Sequence, residues 1–426
     1  MVFVLSTDGQ PLDPCHEARA RKLLAAGKAV EHRRFPYTIR LKHREAAESA
    51  TQPHRLKIDP GSKTTGIAII QEGTDRVVFA AELTHRGQQI HNALLARRAI
   101  RRSRRQRKTR YRQVRFLNRC RPEGWLAPSL QHRVETTATW MRRLRMVCPI
   151  TALSVELVRF DSQALQNPEI AGVEYQRGTL FGWEVWNYLL AKWGHRCAYC
   201  GTTHLRLEQE HLIPRSRGGS DRITNLTIAC RPCNERKGAQ TAAEFGFPQL
   251  MVQAKAPLKD AAAVNSVRWA LYRTLASTGL SVEAGTGGRT KWNRARLGWD
   301  KTHWRDAACV GASTPDSLRV ACGSILLIAA KGHGIRQMSR TDKYGFPIRH
   351  VPRKKRHFGF RTGDLVRAVV PGGKYRGRHI GRVAIRASGS FNIATAAGLV
   401  AGIHYRHCEV IQHADGYAYT IQKECA

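Results

Sequence analysis

The sequence predicts an α/β chain assembled from several small domains. Three observations point there. Apolar, strand-like runs that each carry or end on one carboxylate (Leu56 to Asp59, Ala152 to Leu157) sit among helical segments. A cysteine- and histidine-bearing module interrupts that core between residues 183 and 250. From about residue 340 the texture changes to short β-rich runs separated by Gly and Pro turns.

Val2 to Leu5 reads as a short strand, turned by Asp8-Gly9-Gln10-Pro11. Glu17 to Ala26 reads as a helix closed by Gly27, and Phe35 to Leu41 as a second strand. Glu45 to Pro53 is polar and reads as a linker. Leu56 to Ile70 is strand, Gly-rich turn, strand, with Asp59 ending the first strand. Ala152 to Leu157 is a buried-type strand that carries Glu156. Further on, Asn265 to Ser277 predicts helix, Leu280 to Ala284 strand, Thr286-Gly287-Gly288 a turn, and Lys301 to Gly311 a helix start. Ser324 to Ala330 is a buried strand or helix. Asp364 to Val370, His379 to Arg386 and Tyr417 to Ile421 predict strands of a small C-terminal barrel.

The 426 residues hold 71 Lys and Arg against 32 Asp and Glu, a net charge of +39. Such self-repulsion calls for a polyanionic partner, and nucleic acid fits it. A membrane partner is disfavoured: no apolar run approaches the roughly 20 residues that span a bilayer. The N-terminus lacks a signal-peptide pattern, and seven of the 11 cysteines are scattered without framework spacing. Both features predict a reducing, cytoplasmic setting. The charge is concentrated. Residues 97–119 contain 11 arginines and one lysine, and no acid occurs between Glu82 and Glu123. With no Gly or Pro, the run reads as a helix, positive all round, that needs bound phosphate to offset repulsion at i, i+4. Its candidate nucleic-acid contacts are Arg97, Arg98, Arg101, Arg102, Arg104, Arg105, Arg107, Lys108, Arg110, Arg112 and Arg115.

Two motifs carry chemistry. Cys197-x-x-Cys200 and Cys230-x-x-Cys233 pair as a closed tetrahedral thiolate site, which suits one structural Zn²⁺. His195 and His204 lie nearby, but four cysteines already complete that site. Between and beside the cysteines lie Glu210, His211, Asn225 and Asn234. A carboxylate, a histidine and asparagines suit a hard, oxygen-ligated cation and a general base. The second motif is dispersed. Asp59, Glu156 and Asp306 each sit in or beside an apolar run, where a lone charge is costly. Converging carboxylates can hold two divalent cations for in-line phosphoryl displacement. His303, three residues before Asp306, shares a helix face with it and could deprotonate water.

The order Cys-x-x-Cys, Glu-His, Asn, Cys-x-x-Cys-Asn resembles the HNH (ββα-metal) nuclease pattern. Asp59, Glu156, and His303 with Asp306 resemble the three split motifs of a RuvC nuclease, an RNase H-like fold. An HNH module inserted between the second and third motifs, after an arginine-rich bridge helix, is similar to the IscB family of transposon-associated RNA-guided nucleases. Asp8-Gly9-Gln10-Pro11-Leu12-Asp13-Pro14 is similar to that family's PLMP domain, with Asp13 where its Met would stand. Thr362-Gly363-Asp364-Leu365-Val366 and Gly389-Ser390-Phe391-Asn392-Ile393 resemble its target-adjacent-motif-interacting domain.

The resemblance implies seven segments: 1–52 PLMP-like, 53–83 RuvC part I, 84–121 bridge helix, 122–182 RuvC part II, 183–250 HNH, 251–330 RuvC part III and 331–426 the C-terminal domain. It implies two Mg²⁺ held by Asp59, Glu156 and Asp306 with His303 as base, and one Mg²⁺ on Glu210 and Asn234 with His211 as base and Asn225 in support. Many relatives have Asp where Glu210 stands. It further implies a guide omega RNA, double-stranded target DNA with a flanking motif, and a protein monomer in a ribonucleoprotein. HNH would cut the guide-paired strand and RuvC the displaced strand. The rival readings are a guide-independent endonuclease and a catalytically silent RNA-binding protein.

Overall fold

The computed structural model describes residues 1–106, 125–158, 186, 189–190, 192–255, 261–332, 339–342, 346–350 and 354–423. The second half of the predicted basic helix, Arg107 to Arg115 included, lies outside the described residues.

Residues 1–41 form a four-stranded sheet of β1 (Val2–Leu5), β2 (Pro11–Cys15), β3 (Ala29–Arg33) and β4 (Thr38–Leu41), in the order β2-β1-β4-β3. Helix α1 (Glu17–Ala25) follows β2, and Val2, Val4, Leu12, Ala20, Ile39 and Leu41 close the core. β2 was not legible because Pro11 and Pro14 argue against a strand. Its place at the sheet edge tolerates them. The strand expected over Phe35 to Leu41 begins only at Thr38, past Pro36, which has no N–H for a ladder.

The central sheet has eight strands. β5 (His54–Asp59), β6 (Thr64–Gln71) and β7 (Arg76–Thr84) form an antiparallel meander. β8 (Ile150–Val158) pairs parallel with β5. A separate two-stranded hairpin, β9 (Leu207–His211) and β10 (Leu226–Cys230), then intervenes. β11 (Ser281–Thr286) returns to the central sheet, parallel to β8. β12 (Arg319–Val320) and β13 (Ser324–Ala330) both pair parallel with β7. Four helices bear on this sheet: α3 (Pro128–Arg145) and, beyond α4 (Arg231–Lys237) and α5 (Pro248–Lys255), α6 (Ala261–Ala276), α7 (Gly287–Arg296) and α8 (His303–Ala308), while α2 (Gly87–Gln106) packs on α3. The buried run Thr65 to Ile70 faces both ways. Ile67 and Ile69 pack with Trp140 and Leu144 of α3 and Leu271 and Leu275 of α6. Ala68 and Ile70 pack with Trp304, Ala307 and Ala308. Two covered faces explain why the strand reads as continuously apolar.

Two expectations are corrected. Thr286-Gly287-Gly288 is not a turn: it opens α7 (Gly287–Arg296), with the Thr286 hydroxyl accepting from Arg289 N–H. Helix α8 (His303–Ala308) is a short one, capped by Thr302. The second correction concerns the C-terminus. Two short hairpins, β14–β15 (Ser339–Thr341, Pro347–His350) and β16–β17 (Arg356–His357, Phe360–Arg361), lead into β18 (Leu365–Val370), β19 (Gly377–Ala384), β20 (Ser390–Thr395), β21 (Gly398–His404) and β22 (Cys408–Gln412). These five form one antiparallel sheet, ordered β21-β20-β19-β18-β22, around Val366, Phe391 and Ile393. The last strand, β23 (Tyr417–Lys423), leaves it and pairs antiparallel with β13 in the central sheet. The apolar Ser324 to Ala330 needs that partner, and Tyr417 and Tyr419 pack on Trp140 beneath it.

Candidate active site and nucleic-acid interface

β5 and β8 lie side by side with Ile58 opposite Val155, so Asp59 and Glu156 occupy the next positions along the pair. Arg268 of α6 joins them. Its Nη2 lies 2.7 Å from Glu156 Oε1 and 3.3 Å from Asp59 Oδ1. Asp306, on α8, is buried and paired with Arg294 of α7. Burial raises the Asp306 carboxyl above its usual range; Arg294 opposes that rise, and the nearby charge of Glu156 adds to it. The three dispersed carboxylates thus gather at one place. His303 is exposed at the first turn of α8.

Three further residues build this place, and sequence reading missed them. Glu82 of β7 accepts from the backbone N–H of His303 (3.1 Å) and of Trp304 (3.4 Å), completing the α8 N-terminus. Lys57, two residues before Asp59 and fully buried, donates to Val310 O (2.8 Å) and Thr314 Oγ1 (3.0 Å), tying the chain after α8 beneath β5. Burial lowers its pKa to about 8. Gly66, opposite Asp59 across β5–β6, admits the backbone of α8. A Cβ there would lie 1.8 Å from the carbonyl oxygen of His303. Because that neighbour is backbone, Gly66→Ala is expected to displace α8 and cost roughly 1–3 kcal/mol, the usual range for overpacking. A urea unfolding midpoint equal to wild type would show that α8 does not rest on the strand.

The second cluster is the β9–β10 hairpin with α4 packed on it. Cys197, Cys200, Cys230 and Cys233 present sulfur atoms all within 4.8 Å of one another, with 3.6 Å between Cys200 and Cys230. Zn–S bonds of about 2.3 Å in a tetrahedron need S–S separations of nearly that size, so the four sulfurs fit a zinc ion. Tyr199 packs edge-on against Phe245 and Phe247 beside them. Asn225 closes the intervening loop: its Oδ1 accepts from Ile213 N–H, and its Nδ2 donates to Ile213 O and Ser220 O, each at 2.9 Å.

His211 Nε2 lies 2.7 Å from Asp221 Oδ1, and Arg215 clamps Asp221 from the other side. Arg215 first, and then His211, hold the Asp221 carboxyl below its usual range. Glu210 is buried and bonded to the buried Lys237 of α4, Nζ to Oε1 2.7 Å. Asn234 donates to Glu208 Oε2 at 3.3 Å. Asp221, Glu208 and Lys237 are the residues sequence reading missed here. Lys237 had a signal in the Asn-x-x-Lys-Gly spacing after Cys233, which sets it one turn beyond Asn234 on one helix face.

The basic helix begins as α2, held at its start by Arg86 N–H bonding to His132 Nε2 (3.2 Å). Arg97, Arg98, Arg101 and Arg102 are all exposed. The side chains of Arg104 and Arg105 lie outside the described residues. Trp269 and Trp292 are 46% and 43% exposed.

A family model described as HNH endonuclease matches residues 197–250. That segment is an HNH endonuclease module, and the chain is a nuclease. A second model, described as RRXRR protein, matches residues 2–178; this chain reads Arg101-Arg102-Ser103-Arg104-Arg105 within it. Among solved structures, the chain is similar to Streptococcus thermophilus Cas9 in complex with the GGAA PAM, at 13% identity and a TM-score of 0.22. It is also similar to the same protein with the AGAA PAM, at 12% identity and a TM-score of 0.23. Each match covers 60% of this chain and 32% of Cas9, so the chain spans about a third of that protein's length. No curated protein sequence matches. Among the described residues, no helix is long and apolar enough to cross a membrane.

Proposed function

We propose that the chain is an RNA-guided endonuclease of the IscB kind that cuts both strands of duplex DNA, with HNH acting on the guide-paired strand and the central-sheet carboxylates on the displaced strand. The gathering of Asp59, Glu156 and Asp306 in one chain with an HNH module carries this reading. The strand order β7-β6-β5-β8-β11, antiparallel and then parallel about β5, supports an RNase H-like core. The exposed arginines of α2 support a nucleic-acid partner.

Asp59, Glu156 and Asp306 would hold two Mg²⁺, Glu210 and Asn234 one, and the cysteines the zinc. Bound divalent ions supply Lewis-acid stabilisation of the phosphodiester in flight. The protein's own groups do the rest. Asp221, ionised by Arg215, takes the Nε2–H of His211 and leaves Nδ1 free to accept a proton from water. Asn225 holds the loop that bears Asp221. His303, exposed on the face of Asp306, is placed to accept the corresponding proton at the other centre.

The test is to purify the chain from cells carrying its native locus, sequence the bound nucleic acid, and assay cleavage of duplex DNA matched to that RNA. A discrete RNA required for cutting is expected. Equal cutting after the RNA is removed would make the chain a guide-independent endonuclease.

Replacing Arg97, Arg98, Arg101 and Arg102 by Ala is expected to weaken RNA binding and flatten its salt dependence. Each lost phosphate contact removes about 0.7–0.9 from the slope of log K against log salt. An unchanged slope would show that this face of α2 meets only solvent.

A further inference from the structure

Both candidate centres hold a buried cation of the chain's own, and Arg268 is the more committed of the two. It is 1% exposed, on a helix whose neighbours Val267, Leu271 and Leu275 pack into the core. Its Nη2 bonds Glu156 at 2.7 Å and Asp59 at 3.3 Å. Nε and the same Nη2 donate to Pro60 O at 3.2 and 3.0 Å. Nη1 is buried with no hydrogen-bond partner among the described residues. A guanidinium taken this far out of water is tolerated only against fixed negative charge. Reciprocally, Asp59 and Glu156, set side by side on neighbouring strands, would repel each other without it.

We propose that Arg268 is a built-in counter-cation: it holds Asp59 and Glu156 together before any metal is bound, and it competes with divalent metal for the same two carboxylates. The inference rests on the reading of these carboxylates as a metal centre. With Arg294 on Asp306, three carboxylates already face two guanidiniums. Divalent ions entering that site meet positive charge as well as negative, which lowers their affinity until a nucleic-acid phosphate restores the balance. Arg268 is a positioning residue here, since it acts through the carboxylates.

The test compares wild type, Arg268→Met and Arg268→Lys as full ribonucleoproteins in a His211→Ala background, so that only this centre cuts. Thermal unfolding is followed in buffer without Mg²⁺ or Mn²⁺, then with millimolar Mn²⁺. Wild type should change little. Arg268→Met, which leaves two buried carboxylates unbalanced, should melt at least about 5 °C lower without metal and regain most of that with it. Arg268→Lys should fall between them. The Mn²⁺ concentration giving half-maximal stabilisation should be about tenfold lower in Arg268→Met than the concentration wild type needs for half-maximal displaced-strand cutting. If Arg268→Met melts like wild type without metal, or melts lower and metal restores nothing, the counter-cation role is wrong. The arginine would then be idle or would merely anchor Pro60. Failure of the underlying two-centre reading shows separately: the His211→Ala parent would cut neither strand.

Discussion

Asp59→Ala is expected to abolish cutting of the displaced strand while the guide-paired strand is still cut, and His211→Ala the reverse. The two sets of groups are built on separate elements. Asp59 ends β5 of the central sheet, beside Glu156 and Arg268. His211 ends β9 of a separate two-stranded hairpin and is held by Asp221. Losing a general base slows a reaction by roughly 10²–10⁴-fold, enough to resolve on strand-labelled DNA. His211 is not one of the four cysteines or a core residue, so the module should keep its fold. Neither residue lies in α2 or the C-terminal sheet, so both variants should bind matched DNA, and the double variant should bind without cutting. One single substitution that stops both cuts with binding intact would point to a composite site.

Removal of the zinc is the second large effect. The module's core is small: Tyr199 with Phe245 and Phe247, plus Leu212, Ala229, Ala242 and Leu250 around the four cysteines. Structural zinc contributes an apparent 10–16 kcal/mol or so to comparable small domains at pH 7, more than such a core supplies. Cys230→Ser should therefore drop the zinc content below one per chain and expose residues 197–255 to limited proteolysis. Cutting by the HNH module should go with it, while the displaced-strand cut persists. Active protein with no zinc by elemental analysis would remove the claim.

The sequence made the chemistry legible wherever a residue type and a local spacing coincide. Cys-x-x-Cys pairs place thiols by the geometry of one turn, and Glu210-His211 and Asn234 follow within the same short module. His303 and Asp306 lie one helical turn apart. Asp59 and Glu156 stood out because a lone carboxylate in an apolar strand needs an explanation. The strands at Val2, Leu56, Ala152 and Leu280 were readable for a related reason: side-chain period and turn residues are local properties.

What the sequence could not decide was who balances those charges. Arg268 lies 112 residues after Glu156, Glu82 lies 221 residues before His303, and Asp221 is one of many exposed acids. An arginine in a chain with a net charge of +39 carries no signal of its own. Long-range pairing also settled β23, whose Tyr417 to Lys423 reads like its β-rich neighbours yet completes the central sheet. Composition and spacing singled out candidate ligands and bases, because those depend on chemistry a few residues wide. Only the tertiary structure chose their counter-ions and sheet partners, because burial and close approach exist only after distant segments have packed.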